Sequence, residues 1–129
     1  MGETCPICLE TIKEKNTGKT FSILTNQIKN SLEKQININK IIFAYEPVWS
    51  IGTNKIPKMG ELKDIIEFIK KYCKKNFKTK KPPKVLYGGS VNEKNIRLFS
   101  SISQIDGFLI GGASQSSKKF IDIITNYYK

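Results

Sequence analysis

The stretch of sequence that decides the fold is IIFAYEPVWSIGTNK, residues 41–55. Its first five residues form an apolar run that predicts a buried strand, Ile41–Tyr45. The strand ends at a carboxylate, Glu46, and a loop that contains Gly52 and Asn54 follows. A carboxylate at the end of a buried strand, followed by a glycine-containing loop, is the layout of a catalytic base under a lid. On spacing alone, a solvated charge at the strand end is the simpler interpretation of Glu46.

Strand and helix patterns alternate along the rest of the chain. Apolar residues at helical spacing precede the strand, and a second amphipathic helix follows the glycine-containing loop. Two further short strands come next, each followed by a polar residue suited to cap a helix. The predicted segments are helices over 20–34 and 62–73, strands over 84–87 and 107–110, a helix from Asn92 to about Phe99, and a last helix capped by Ser116 or Ser117. Strands that alternate with helices predict parallel pairing, which fits both a barrel and an open doubly wound sheet.

Length and composition indicate a globular chain. Its 129 residues suffice for one domain or part of one, and 39% of them are hydrophobic, which suits a folded protein. No apolar run approaches the length that crosses a membrane, so no membrane partner is expected. The start of the sequence has neither a basic n-region nor an apolar h-region, which predicts no secretory signal and a cytoplasmic protein.

The formal net charge is +11, and all the basic residues except Arg97 are lysine. Such an excess can indicate nucleic-acid binding, because phosphate contacts favour basic surfaces. The lysines, however, are spread over every predicted helix, and no RNA- or DNA-binding motif occurs. The densest run, residues 70–84, surrounds a helix end, where cations suit the helix dipole. A solvated lysine-rich face is therefore the favoured interpretation, and no nucleic-acid partner is expected.

Three cysteines and no histidine limit metal and redox chemistry. Cys5 and Cys8 form a C-x-x-C pair, but a zinc site needs two more ligands, and Cys73 is a single distant thiol. Reduced structural cysteines are the default in the cytoplasm. Neither a metal nor a cofactor is expected.

Two glycine pairs follow the last two predicted strands, in GGS at 88–90 and GGAS at 111–114. Backbone N–H groups of glycine approach a phosphate closely, because no Cβ blocks the oxygen, and a helix N-terminus adds a positive dipole. Either pair alone is explained by a tight turn. Two such pairs after successive strands favour a phosphate site.

Three motifs occur in the order found in one enzyme family. They are YEPVWSIGT at 45–53, YGGSV at 87–91 and DGFLIGGAS at 106–114. Together they resemble triosephosphate isomerase, whose usual form of the first motif is AYEPVWAIGTGK. The resemblance runs from about Cys8 to the end of the chain and covers the C-terminal half of that family's barrel. It implies an α/β fold, a partial (β/α)8 barrel of about four βα units with parallel strands, over residues 1–129, of which 1–19 match poorly and are expected to be irregular.

The resemblance assigns chemistry to the loops after the strands. It implies that Glu46 is the general base of an aldose–ketose isomerase, which moves a proton between adjacent carbons of a triose phosphate through an enediolate. The matching positions for contact with the substrate phosphate are Gly52, Ser90, Gly111 and Gly112. Residues 47–57, here called the lid, match a loop that is itself a standard example of closure over a substrate. Ile51 and Leu109 match apolar residues that exclude water from the carboxylate.

One lid residue departs from the family's pattern. Asn54 stands where the usual form has glycine. Asparagine tolerates a positive φ better than most residues, so the loop is expected to keep its conformation.

The resemblance also shows what this sequence lacks. The family's other catalytic groups, an asparagine, a lysine and a histidine, lie in its first four strand–helix units, and this chain has no histidine. A complete barrel has about 250 residues, roughly twice this length. The resemblance therefore implies a homodimeric parent enzyme, an isolated chain without activity, and a missing N-terminal half or complementing chain as partner. The alternatives are a non-catalytic phosphate-binding α/β module and, less favoured because no G-x-G-x-x-G or P-loop pattern occurs, a nucleotide binder.

Overall fold

The computed structural model describes residues 3–8, 18–33 and 35–129. Most of the poorly matching start, residues 1–2 and 9–17, lies outside the described residues, as does Lys34. Four strands and four helices follow one another in the described part of the chain. They are β1 (Glu3–Cys8), α1 (Thr20–Ser31), β2 (Ile41–Tyr45), α2 (Met59–Asn76), β3 (Lys84–Gly88), α3 (Ile96–Phe99), β4 (Gly107–Leu109) and α4 (Ser117–Tyr127).

The four strands form one sheet in the order β1-β2-β3-β4, and every neighbouring pair is parallel. This is the arrangement of consecutive units in a (β/α)8 barrel, so the predicted fold class is confirmed. Parallel strands next to each other in sequence need a helix between them, and α1, α2 and α3 fill that role.

β1 is a strand that the pattern of apolar residues did not indicate. The segment 1–19 was expected to be irregular, yet Glu3–Cys8 pairs with β2. Pro6 lies inside the strand, and proline within a run normally argues against one. It is tolerated here because β1 is at the end of the described sheet, and the pairing register shifts between Pro6 and Cys8.

α2 covers the sheet with one apolar face. Its buried side chains recur at helical spacing, while Glu61 lies in the first turn and two lysines in the last, as the helix dipole favours. Each fully buried aliphatic side chain contributes about 1.5–3 kcal/mol. The buried residues of this face are Leu62, Ile65, Ile66, Ile69 and Cys73.

Aromatic side chains link the middle of the sheet to its β4 side. The ring of Tyr87 stacks on Phe99 at a centroid distance of 5.0 Å, and Phe99 meets Phe108 edge-on at 5.7 Å. Phe43, Tyr45 and Tyr87 have no exposed surface, which fits strands of a parallel sheet buried on both faces.

Polar side chains bond backbone N–H groups ahead of the last two helices, although α3 begins only at Ile96 and its N-cap residue, Asn95, makes no side-chain cap bond. The Asn92 side chain accepts from the N–H groups of Lys94 and Asn95, at 2.9 and 3.0 Å, ahead of α3. Of the two predicted caps of α4, Ser116 is the one used, since its hydroxyl accepts from the Lys119 N–H at 3.3 Å.

Large apolar side chains stay exposed on α4 and just beyond it. Phe120 is 40% exposed, Ile121 60%, Ile124 49% and Tyr128 81%. Their spacing places them along the helix, and we call these four residues the open face. Within the part of the chain that the structure describes, no helix combines the length and apolarity needed to cross a membrane.

Candidate active site

Three loops, one after each of β2, β3 and β4, border a single cavity of about 580 Å³. The carboxyl ends of parallel strands meet at the same edge of a sheet, so loops far apart in sequence come together there. Every residue singled out by the sequence lies in the lining of this cavity: Glu46, Gly52, Ser90, Gly111 and Gly112. Ile51 and Leu109, the apolar residues expected beside the carboxylate, line it as well.

Glu46 is half-buried at the end of β2, and its side chain lies against the backbone of β3. A Cβ placed on Gly88 would come within 2.9 Å of the Glu46 Cγ and 3.1 Å of its Oε2. Gly88 therefore provides the space that the carboxylate occupies. The sequence indicated this glycine only as part of a phosphate loop.

The lid starts as a short 3₁₀ turn, Val48–Ser50, and is tied together by its own side chains. The Thr53 hydroxyl donates to the Trp49 carbonyl at 2.8 Å and accepts from the Lys55 N–H at 3.2 Å. Gly52 and Asn54 have φ values of 66° and 60°. Asn54 thus adopts the left-handed conformation for which the family's usual form has glycine, and the expectation that asparagine would do so is confirmed.

The hydroxyl of Ser90 joins the lid to the loop after β3. It accepts from the Asn54 N–H at 3.0 Å and donates to the Ser50 carbonyl at 2.5 Å. Ser90, expected to contact phosphate, therefore uses its hydroxyl on the lid. Its φ of 51° is unusual for a serine and is held by these two bonds.

Ser50 and Tyr87 form a buried pair beneath the lid. Ser50 has no exposed surface, and its hydroxyl lies 3.1 Å from the Tyr87 hydroxyl while donating to the Lys55 carbonyl at 2.5 Å. The Tyr87 hydroxyl has one proton and two acceptors within reach, the Ser50 Oγ at 3.1 Å and the Gly89 carbonyl at 3.0 Å. Burial raises the pKa of Tyr87 to about 12, and hydrogen bonding with Ser50 opposes this only in part, so the phenol is neutral at physiological pH.

Sequence reasoning did not identify this pair. The available signal was Ser50 itself, a serine where the family's usual motif has alanine, because a hydroxyl at a buried position requires a partner. Gly89 packs against the same pair, and its lack of a Cβ leaves room for the two hydroxyl groups. Its φ is 135°, and a Cβ there would lie 2.8 Å from the Ser50 Oγ.

The backbone of the glycine pair after β4, Gly111 and Gly112, borders open space. Among the described atoms, nothing lies within 4 Å of a Cβ built on Gly111 or Gly112. The Ser114 N–H and hydroxyl both donate to the Gly111 carbonyl, at 2.9 and 2.6 Å, and shape the 3₁₀ turn that begins at Gly112. Packing within the described chain does not fill this space, so a ligand can approach the backbone.

Cationic side chains also line the cavity. Lys94 and Lys119 are both exposed at its wall, and neither is paired with a carboxylate of the described residues. They give the cavity a positive field toward an anion, against the negative charges of Glu46 and Glu93. In residues 3–8, 18–33 and 35–129, no group of three His, Cys, Asp or Glu side chains is placed to hold a metal ion.

Comparison with known proteins identifies the family. The family model described as triosephosphate isomerase matches residues 3–127. The triosephosphate isomerase of Mesomycoplasma hyorhinis is 38% identical over 120 residues, covering 92% of this chain and 46% of the relative. That of Borreliella burgdorferi is 38% identical over 121 residues, covering 91% and 48%, and that of Dictyoglomus thermophilum 39% over 116 residues, covering 87% and 47%. The chain spans about half the length of the curated relatives it matches, and it belongs to the triosephosphate isomerase family.

Proposed function

We propose that this chain carries the catalytic glutamate and the phosphate-binding loops of a triosephosphate isomerase. The reaction is the interconversion of dihydroxyacetone phosphate and D-glyceraldehyde 3-phosphate, a glycolytic step expected in the cytoplasm. One observation carries the proposal: the Glu46 carboxylate and both glycine loops border the same cavity, at the carboxyl ends of three parallel strands.

Glu46 is the proposed proton carrier. A C–H bond beside a carbonyl is a weak acid, so a carboxylate held against that carbon must take the proton while the developing enediolate charge is neutralised. The carboxylate then returns the proton to the neighbouring carbon, the former carbonyl oxygen gains a proton and the hydroxyl oxygen on the first carbon loses one, so the ketose becomes the aldose. Gly88 supports this role, because the missing Cβ lets the carboxylate lie directly over β3.

The phosphate of the substrate is proposed to bind at the opposite wall of the cavity. Gly52, Gly111 and Gly112 have no described atom within 4 Å of a built Cβ, so their N–H groups are accessible to phosphate oxygens. Ser90 would contribute its backbone N–H, since its hydroxyl already bonds the lid. Lys94 and Lys119 add attraction for the dianion from the rim.

The proposed partner is a polypeptide that supplies the first four strand–helix units of the barrel. Within the described sheet, β4 is paired on one side only. Beside it, a groove of about 310 Å³ runs between β4 and α4 and is lined by Phe120, Ile124 and Tyr128 of the open face. An unpaired strand edge next to exposed apolar side chains invites pairing with another strand and helix. The relatives have the matching length, and the assembled enzyme would be homodimeric as the family resemblance implies.

The test is isomerase activity with and without a complementing half. The chain is assayed alone and after co-expression with the N-terminal half of the Mesomycoplasma hyorhinis relative. We expect activity only in the co-expressed assembly and its loss by about 10³-fold or more in Glu46→Gln, because the base is then absent. Ser101→Ala, a serine that bonds only a helix carbonyl, is the matched control and should retain full activity.

Two results would contradict the proposal. One is turnover by the isolated chain at ordinary enzymatic rates, since the chain would then need no partner. The other is activity of the assembly that does not change in Glu46→Gln.

A non-catalytic phosphate-binding module is the second candidate. It is favoured by the fact that the glycine loops and both cavity lysines belong to this chain, whereas no histidine does. This function predicts affinity for glycerol 3-phosphate that is unchanged in Glu46→Gln, together with an inactive assembly. Activity in the assembly removes it.

A further inference from the structure

We propose that Ser50 is a positioning residue that latches the lid to β3. The proposal rests on the proposed function, because residues of the lid line the same cavity. The Ser50 hydroxyl bonds to Lys55 within the lid and lies against Tyr87 of β3. The bonds that carry the inference are those between Ser50 and Lys55 and between Ser50 and Tyr87.

The first bond closes the base of the lid. Ser50 lies at the end of the first turn of the lid, and Lys55 lies where the loop returns. Donation from the Ser50 hydroxyl to the Lys55 carbonyl therefore fixes the distance between these two residues. The loop held between them contains Gly52, whose N–H is the proposed phosphate donor.

The second bond attaches that base to the sheet. The Tyr87 hydroxyl, which can donate to the Ser50 Oγ at 3.1 Å, projects from β3, and β3 pairs with β2 on one side and β4 on the other. Tyr87 has no exposed surface and stacks on Phe99, so it is a rigid anchor. Gly89 leaves the room that the pair needs.

A third contact uses the other polar group of the same residue. The Ser50 carbonyl accepts from the Ser90 hydroxyl, which in turn accepts from the Asn54 N–H. Ser50 thus takes part in two of the three bonds that tie the lid to β3 and to the loop after it. The lid of this chain is held down by hydroxyl groups, one of which stands where the family's usual motif has alanine.

Removing the Ser50 hydroxyl is expected to loosen the lid and to leave the core intact. The Tyr87 hydroxyl can still donate to the Gly89 carbonyl, and Lys55 is an exposed residue whose carbonyl can bond to water, so no buried group is left unsatisfied. The loss of about one net hydrogen bond changes the opening equilibrium by about three- to tenfold.

The test measures amide hydrogen exchange of the full chain without ligand, in the wild type, Ser50→Ala and the control Ser101→Ala. Ser50→Ala should raise the exchange rate of the Asn54 N–H about three- to tenfold, while the N–H of Ile66 in α2 exchanges at the wild-type rate. Tyr87→Phe should raise the Asn54 rate as well, because it removes the anchor of the same latch. Ser101→Ala should change neither rate.

A second readout follows ligand release. Trp49 is the single tryptophan of the chain and lies beside Ser50 in the lid, so its emission reports lid motion on titration with glycerol 3-phosphate. Ser50→Ala should speed dissociation of this ester about three- to tenfold. An Asn54 exchange rate that is unchanged in Ser50→Ala would overturn the latch. An equal rise in the exchange rate of Ile66 would overturn it as well, because it would mean that the variant has lost global stability. A wild-type chain that does not bind the ester would overturn the proposed phosphate site and not the latch, which the exchange rates test separately.

Discussion

Adjacent glycines at the end of β3 should respond to alanine in opposite ways. Gly88 and Gly89 are both fully packed against side chains, but they meet different atoms. A Cβ on Gly88 would lie 2.9 Å from the Glu46 Cγ, part of a flexible and half-buried side chain. A Cβ on Gly89 would lie 2.8 Å from the Oγ of the buried Ser50, at a backbone φ of 135°.

Gly88→Ala should cost little stability and much activity. Restoring an ordinary contact of 3.4–4 Å moves the Glu46 side chain by roughly half to one ångström. The rotamer strain of about 0.5–1.5 kcal/mol is offset by the lower entropy of the unfolded chain, worth about 0.4–1 kcal/mol. Stability should therefore stay within about 1 kcal/mol of wild type. A displacement of this size at the reacting group costs roughly 10²-fold in rate.

Gly89→Ala should instead destabilise the fold. The positive φ alone costs a side-chain-bearing residue about 1–3 kcal/mol, and displacing Ser50 breaks buried hydrogen bonds worth about 1 kcal/mol or more. The sum is about 2–4 kcal/mol.

Urea denaturation followed by Trp49 emission measures both free energies of unfolding, and the complemented assembly measures the activities. Two results would refute the reasoning: a folded Gly88→Ala variant with full activity in the assembly, or a Gly89→Ala variant as stable as wild type.

Three further predictions concern stability. Lys78, two residues beyond the end of α2, has a φ of 48°, so Lys78→Gly should raise the free energy of unfolding by about 1 kcal/mol in urea, and no gain would show that the conformation is unstrained. Burial raises the pKa of Cys73 from 9.0 to about 12, so as the pH rises the thiol of the unfolded chain loses its proton before that of the folded chain. The contribution of Cys73 to stability is therefore complete below pH 9 and should fall above it by about 1.4 kcal/mol per pH unit. Cys73→Ala should reduce this slope between about pH 9 and 10. The Asp106 carboxylate binds Lys70 at 2.7 Å and accepts from the Val85 N–H at 2.8 Å. Asp106→Ala should cost about 2–3 kcal/mol, and Asp106→Asn about half of that because its amide oxygen can still accept; equal losses would assign the whole effect to the charge.

The sequence was most informative where structure depends on local periodicity. The alternation of apolar runs and amphipathic helices predicted β2, β3, β4 and the helices around them, because burial of one face repeats at a fixed spacing along the chain. The strand β1 was not predicted, because proline, here Pro6, is a poor strand residue except at a sheet edge. Whether a strand lies at an edge is a property of the assembled sheet and cannot be seen in a local pattern.

The site was predictable only in part. Glu46 and the glycine loops carry motif signals, and the structure places all of them around one cavity. The contact between Ser50 and Tyr87 joins residues 37 positions apart, so no local pattern indicates it. The two glycines at 88 and 89 also look alike in sequence. They differ in the side chain that packs against them, which is Glu46 at Gly88 and Ser50 at Gly89.

The most direct test of the account is whether Glu46 moves a carbon-bound proton. The complemented assembly is incubated with dihydroxyacetone phosphate in deuterium oxide, and deuterium at the carbon beside the carbonyl is followed by nuclear magnetic resonance. Exchange should be rapid in the wild type and in Ser101→Ala, and should fall by about 10³-fold or more in Glu46→Gln, because Glu46 is the group proposed to take the carbon-bound proton. Exchange at the wild-type rate in Glu46→Gln would contradict the central claim.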